Sequence, residues 1–239
     1  MSSTGQSSRA DDGLERHTRL LTVLTAASRV TGLLRDAVLS RVFGAGAITD
    51  AFFFAFIVPN LFRRLFGEGA LSAAFLPVYA RLDRDDPETA RRLASMLTGL
   101  LIIGLGSAVL VIELLLFALL RTRSEEAALP IRLMMIMLPY MPMVCVVAIL
   151  GAMLQVRGRF GPTATAPVIL NLLIVVAAIT GVLGVPDDAR RQIVLVSFSV
   201  LLAGAVQVAW CLFALRRDHR WTRMRDGAGA PLRRVLQQA

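Results

Sequence analysis

Six stretches of this sequence are each long and apolar enough to cross a lipid bilayer, and that fact bounds the fold before any other. They run roughly Leu20–Phe43, Ile48–Tyr79, Leu93–Leu120, Ile131–Val156, Thr163–Val185 and Gln192–Leu215. A hydrocarbon core about 30 Å thick takes about 20 residues of α-helix to cross. Within it every backbone N–H and C=O must be satisfied inside the segment, so runs of this length can cross only as helices. The chain is 56% hydrophobic with a mean hydropathy of +0.65, where a soluble domain is about 45–50% apolar. The excess is gathered into the runs rather than spread over one core. The expected fold is an all-α membrane protein in three parts. A polar tail covers residues 1–19, a six-helix transmembrane lobe residues 20–215, and a basic tail residues 216–239. The first run carries Arg29, Arg35 and Asp36, whereas a cleaved signal peptide has an uninterrupted apolar centre; it reads as a retained span.

The arginines orient the lobe. All 26 basic residues are Arg, and the net charge is +9. With the N-terminus inside, the inner segments hold Arg9, Arg16, Arg19, Arg81, Arg84, Arg91, Arg92, Arg157, Arg159 and seven more from Arg216 to Arg234. The outer loops hold Arg121, Arg123, Arg132, Arg190 and Arg191. Sixteen against five predicts both ends on the cytoplasmic side. The same asymmetry explains the basic balance without invoking a nucleic-acid partner. Cys145 and Cys211 lie inside apolar runs with no metal-ligand neighbour and read as small buried residues.

Chemistry concentrates in the first two spans. At 100° per residue, Thr22, Thr25, Ser28, Arg29, Gly32, Arg35, Asp36 and Ser40 share one stripe about 140° wide. Val23, Ala26, Val30, Leu33, Leu34, Ala37 and Val38 fill the rest. An arginine at mid-bilayer costs from about 2.5 to more than 10 kcal/mol, so such a stripe cannot face lipid. It calls for a water-filled cavity, a counter-ion, or both. Asp36, seven residues from Arg29 on nearly the same bearing, is the expected counter-ion. Two readings stay open: an Arg–Asp pair that fixes packing, or cations that face a ligand.

In the second span Pro59, Asn60, Arg63, Arg64, Gly67, Glu68 and Gly69 fall in the middle of an apolar run. Pro59 predicts a bend, with Gly67 and Gly69 as further hinge positions beside Gly32. Arg64 and Glu68 are spaced to pair, and Arg63 is expected to point about 100° away toward a different neighbour. The alternative is an interfacial break with snorkelling arginines. Asp50 opens the span, where an acid complements a helix N-terminus. Glu113, Asn171 and Gln207 read as packing or interhelical polar contacts, and Pro139 and Pro142 as a kink.

The sequence has no GxxxxGK[ST], HExxH or GxSxG motif and no Cys/His cluster. The reading is a transporter rather than an enzyme, with no catalytic residue, no cofactor and no metal. Arginine resists deprotonation and pairs bidentately with phosphate oxygens, so several facing one cavity suit a pyrophosphate head group.

At this level the residues resemble a family. Ser28-Arg29-Val30-Thr31-Gly32-Leu33-Leu34-Arg35-Asp36, Phe43-Gly44-Ala45-Gly46 with Thr49-Asp50-Ala51-Phe52, and Pro59-Asn60-Leu61-Phe62-Arg63-Arg64-Leu65-Phe66-Gly67-Glu68-Gly69-Ala70 resemble signatures of the MurJ/MviN lipid II flippases. Phe75-Leu76-Pro77-Val78, Ala166-Pro167 and Asn171 continue the likeness. The resemblance implies a member of the multidrug/oligosaccharidyl-lipid/polysaccharide exporter superfamily in the bacterial cytoplasmic membrane. Such a protein translocates lipid II, the undecaprenyl-pyrophosphate-linked peptidoglycan precursor, by alternating access. It further implies that Arg29, Arg35 and Arg63, with Ser28, hold the pyrophosphate. Asp36, Asp50, Glu68 and Arg64 would then be counter-ions or coupling groups. Members have about fourteen spans in two lobes, so these six are expected to be the N-terminal lobe, partnered by lipid II, membrane lipids and a second lobe or chain. Two other readings are an exporter of another lipid-linked glycan and a membrane scaffold that transports nothing.

Overall fold

The computed structural model describes residues 4–67, 70–186 and 188–216. Within them lie α1 (Thr4–Phe43), α2 (Ala47–Phe62), a π-helical turn (Arg63–Gly67), α3 (Ala70–Asp85) and α4 (Pro87–Leu120). These are followed by α5 (Glu125–Met137), α6 (Tyr140–Val156), α7 (Gly161–Ala164), α8 (Ala166–Gly184) and α9 (Ala189–Leu215). Helix is already present from Thr4, well inside the segment expected to be a polar tail. The basic tail from 217 onward lies outside the described residues.

Local chemistry sets the boundaries. After α1 the chain turns through Gly44 at φ 71°, a left-handed conformation that glycine adopts without a Cβ penalty. The Thr49 hydroxyl closes the turn by donating to the Gly44 carbonyl at 2.7 Å. Asp86 caps α4: its carboxylate accepts the Thr89 N–H at 3.1 Å, and Pro87 follows at a position where no N–H is needed. The Thr89 hydroxyl and N–H together hold the exposed Asp86 carboxyl below the usual carboxylate range. Asp188 caps α9 likewise, accepting the Arg191 N–H at 3.0 Å. The fourth expected span is divided between α5 and α6 at Leu138-Pro139, where proline cannot donate the next helical hydrogen bond.

α6 is the spine. Every residue from Val144 to Leu154 is buried, and α6 packs against α2, α3, α4, α9 and the π turn. One side of it joins Phe75, Tyr79, Leu93 and Leu97 in a first apolar cluster. Its Tyr140, Val144 and Cys145 join a second with Phe52, Phe56, Leu133, Ile174, Val196 and Val200. Cys145 and Cys211 are free and buried, as small apolar residues. α4 is the opposite case: Ile102, Ile103, Leu110, Val111, Leu114 and Leu115 are all exposed. An apolar face of that extent is unstable in water and suits hydrocarbon.

Among the described residues four stretches are long and apolar enough to cross a membrane: Pro87–Leu120, Ala128–Val156, Gly161–Gly184 and Ala189–Leu215. They coincide with the third to sixth expected spans. The first two differ for identifiable reasons. α1 carries its arginine stripe, and the second expected span is split by the π turn into α2 and α3, each of 16 residues.

The seam between α6 and α9 is close at Gly204, where a Cβ would lie 2.8 Å from Tyr140 Cδ2 and 2.9 Å from Met143 Sδ. Gly204→Val is therefore expected to cost about 1–3 kcal/mol and to lower the thermal midpoint in detergent. Gly104→Ala, at a position with nothing within 4 Å, should leave the midpoint level or slightly higher. Equal midpoints for Gly204→Val and the parent chain would contradict this packing.

Candidate anion-binding cavity

The stripe on α1 divides its polar residues between two duties. Val23, Val30 and Leu33 are 64%, 66% and 73% exposed, so the apolar side of α1 faces outward as expected. Arg35 is engaged by protein. Its Nε and Nη2 donate to Asp36 Oδ1 at 2.9 and 2.8 Å, and Nη1 donates to Asn171 Oδ1 at 3.0 Å. Its guanidinium lies 5.4 Å from the centre of the Phe56 ring. Asn171, on α8, also donates through Nδ2 to the Ser28 carbonyl and to Thr31 Oγ1, each at 3.3 Å. A Cβ added at Gly32 would lie 3.5 Å from Asn171 Nδ2, an ordinary contact. The pairing expected between Asp36 and Arg29 is not the one formed: Asp36 belongs to Arg35. A helical wheel places Cα atoms, and a long arginine can fold onto its neighbour when a third group, here Asn171, fixes the far side of the guanidinium.

Arg29 serves the other duty. With Leu24, Thr25 and Ser28 it forms one wall of a cavity of about 730 Å³. Arg63 and Arg64 of the π turn, Gln155 of α6, and Phe160, Thr163, Ala164 and Pro167 around α7 complete it. None of these lining residues is acidic. Arg63 and Arg64 were expected to diverge, yet both reach this cavity. The wider π-helical turn, of the kind found at functional sites, rotates successive residues less than an α-helix does. Asn60 Oδ1 accepts from Arg63 Nε at 3.3 Å, steadying it. Arg63 also lines a smaller inner pocket of about 50 Å³ with Tyr140, Thr163 and Gln207.

The remaining expected residues lie elsewhere. Arg35 and Asp36 do not line the cavity, and Asp50 is exposed in the first turn of α2. Pro59 is buried within α2, and the helix departs from α geometry after it, at Arg63–Gly67. Glu68 and Gly69 fall outside the described residues.

Gln155 and Thr163 are the wall residues that sequence reasoning passed over. Thr163 lines both the large cavity and the inner pocket, and its hydroxyl oxygen is buried with no hydrogen-bond partner among the described residues. A buried hydroxyl left unpaired is costly unless something else supplies the partner. Gly151 of α6 makes room for it: a Cβ there would come within 2.7 Å of Thr163 Oγ1. The available signal was the Gly161-Pro162 turn, which read only as a connection. Spacing alone says nothing of where the following threonine points.

The family model described as "Lipid II flippase MurJ" matches residues 39–239. Arg63, Arg64, Gln155 and Thr163 fall inside that match, while Ser28, Arg29 and Arg35 precede it. The probable lipid II flippase MurJ of Rhizobium tropici is 33% identical over 201 residues, covering 80% of this chain and 38% of that protein. The lipid II flippase MurJ of Burkholderia cenocepacia is also 33% identical over 201 residues, covering 79% and 38%. The chain thus spans less than two fifths of these relatives' length. Among solved structures, lipid II flippase MurJ in an inward closed conformation superposes with a TM-score of 0.70 at 22% identity, over 92% of this chain and 46% of that one. A multidrug/oligosaccharidyl-lipid/polysaccharide exporter superfamily transporter from Pyrococcus furiosus superposes at 0.71 with 16% identity, over 93% and 50%. Both likenesses bear on the fold alone. The family match covers most of the chain, so this helical membrane protein belongs to the lipid II flippase MurJ family.

Proposed function

We propose that this chain forms one lobe of a lipid II flippase of the bacterial cytoplasmic membrane. In this reading all six expected spans cross the bilayer, with both ends on the cytoplasmic face. Arg29, Arg63 and Arg64 hold the pyrophosphate of the undecaprenyl-linked precursor. Translocation proceeds by alternating access against a second lobe, whether that lobe is carried by further residues of the same protein or by another chain.

The observation that carries this reading is the meeting of three arginines from two separate elements on one cavity with no acid among its described lining residues. Like charges gathered in a cleft repel one another and focus a positive potential, which raises the local concentration of anions. Guanidinium forks match the oxygens of a diphosphate, and the volume falls within the about 300–1,000 Å³ usual for small-ligand sites. Ser28, Thr25, Gln155 and Thr163 supply neutral polar groups around the charge. An organic cation would be repelled. In this state of the lobe Arg35, with Asp36 as its counter-ion, serves by holding α1 to α8 through Asn171, and so sets the bearing of Ser28 and Arg29. The π turn at Arg63–Gly67, just beyond Pro59, is the proposed bending point.

In the protein assembled with both lobes, Arg29→Ala is expected to abolish translocation of lipid II in a vesicle assay while its abundance in the membrane stays at the parent level. Normal translocation would remove Arg29 from the assigned role. Thr163→Val separates binding from folding. The hydroxyl has no partner among the described residues, so thermal stability should hold or rise. Affinity for an undecaprenyl-pyrophosphate-linked ligand should fall by about three- to tenfold, the worth of one hydrogen bond of about 0.5–1.5 kcal/mol. Unchanged affinity would mean that the hydroxyl does not meet the ligand.

A further inference from the structure

A second cationic cavity lies at the opposite end of the bundle, and it goes beyond the reading above. It has a volume of about 400 Å³ and is lined by Leu129 and Arg132 of α5, Val185 of the α8–α9 turn, and Arg190, Arg191, Val194 and Leu195 of α9. By the arginine count this is the outer face, where arginine is selected against. Yet of the five arginines in the expected outer loops, three line this one cavity. Among the described residues none of its lining is acidic, and Asp188, adjacent, contacts Arg191 Nε at 3.1 Å. The frame is fixed rather than loose. Gln192 Nε2 donates to the carbonyls of Val185 and Pro186 at 2.6 and 3.2 Å, and Asp188 caps α9. Leu129, Val185, Val194 and Leu195 give the cavity an apolar wall beneath a cationic rim.

We infer that this cavity seats the phosphodiester head group of an anionic phospholipid at the outer membrane surface, with the start of an acyl chain against the apolar wall. The pairing follows from charge and from layering. Basic pockets between transmembrane helices bind anionic head groups, and a partly exposed arginine near a membrane surface adds about 1 kcal/mol toward them. A zwitterionic lipid carries the same phosphate but cancels its charge, and a free phosphate lacks the chain that the apolar wall would cover.

The test uses the full chain in mild detergent and native mass spectrometry, with phosphatidylglycerol, phosphatidylcholine and inorganic phosphate as probes. Phosphatidylglycerol should be retained in preference to phosphatidylcholine, and each of Arg132→Gln, Arg190→Gln and Arg191→Gln should weaken that preference by up to about fivefold. Arg29→Gln, in the other cavity, should leave it intact, which separates this site from the pyrophosphate site. Equal retention of the two lipids, or a preference that survives all three single substitutions, overturns the assignment. So does displacement of phosphatidylglycerol by millimolar inorganic phosphate, which would make this a site for the free anion.

Discussion

A guanidinium ion within an apolar helical bundle has to be answered by negative charge, by dipoles or by water, and α1 carries two of them on one stripe. The fold answers each differently. Arg35 is matched within the protein: a carboxylate from the adjacent residue, an amide oxygen from α8 and an aromatic face from α2 surround it. Arg29 is left to the cavity. The first solution makes the second possible. Asn171 not only accepts from Arg35 but donates to the Ser28 carbonyl and the Thr31 hydroxyl, so the paired arginine anchors the turn of α1 from which Arg29 projects. The Asp36 side chain is 47% exposed, so Asn171 is the partner that fixes Arg35 against the interior. The position of Arg29 therefore rests on the contacts that hold Arg35 and the Ser28 carbonyl.

Irregular backbone follows the same logic. Away from water and lipid alike, non-helical geometry is tolerated only where protein or a cavity satisfies it. The π turn opens onto the cavity, and so does the α7–α8 junction. At that junction the Thr165 hydroxyl donates to the Gly161 and Pro162 carbonyls at 3.0 and 3.1 Å, meeting acceptors at a break that precedes Pro167. The break at Leu138-Pro139 is instead sealed by packing: Leu138 is 1% exposed. α4, which faces outward along most of its length, runs unbroken for 34 residues. The two departures that open onto the cavity and the one sealed by packing thus contrast with the unbroken α4.

Much of this was readable from residue order. The third to sixth spans were legible because their apolar runs exceed the bilayer requirement with few charges to confuse the count. The polar stripe of α1 was legible because a single helical period places Ser28, Arg29 and Arg35 together. What the period could not give was the choice of partners. Asp36 is adjacent in sequence to Arg35 and seven residues from Arg29, and angular bearing favoured the second; side-chain reach and Asn171, 135 residues further along, decided for the first. Arg63 and Arg64 were misaimed for a related reason. A wheel assumes 100° per residue, and the π turn does not keep to it. Thr163 was invisible because its meaning depends on Gly151 across a helix–helix contact.

The placement of the π turn has a mechanical consequence for anything bound in the main cavity. α3 and α4 pack into one apolar cluster, α1, α2, α5 and α8 supply most of the other, and α6 and α9 contribute to both. The π turn joins α2 to α3, and Phe66 within it packs against both clusters. Arg63 and Arg64 therefore stand on the seam between the two halves, while Arg29 stands wholly on one of them. An anion that spans Arg29 and the π turn is held by groups whose separation depends on how the halves are packed. Its affinity must then differ between packings, and a ligand shifts a conformational equilibrium only through such a difference. A cavity whose arginines all came from one helix would hold its anion equally well however the halves were arranged, and would convey nothing of its occupancy to the rest of the lobe.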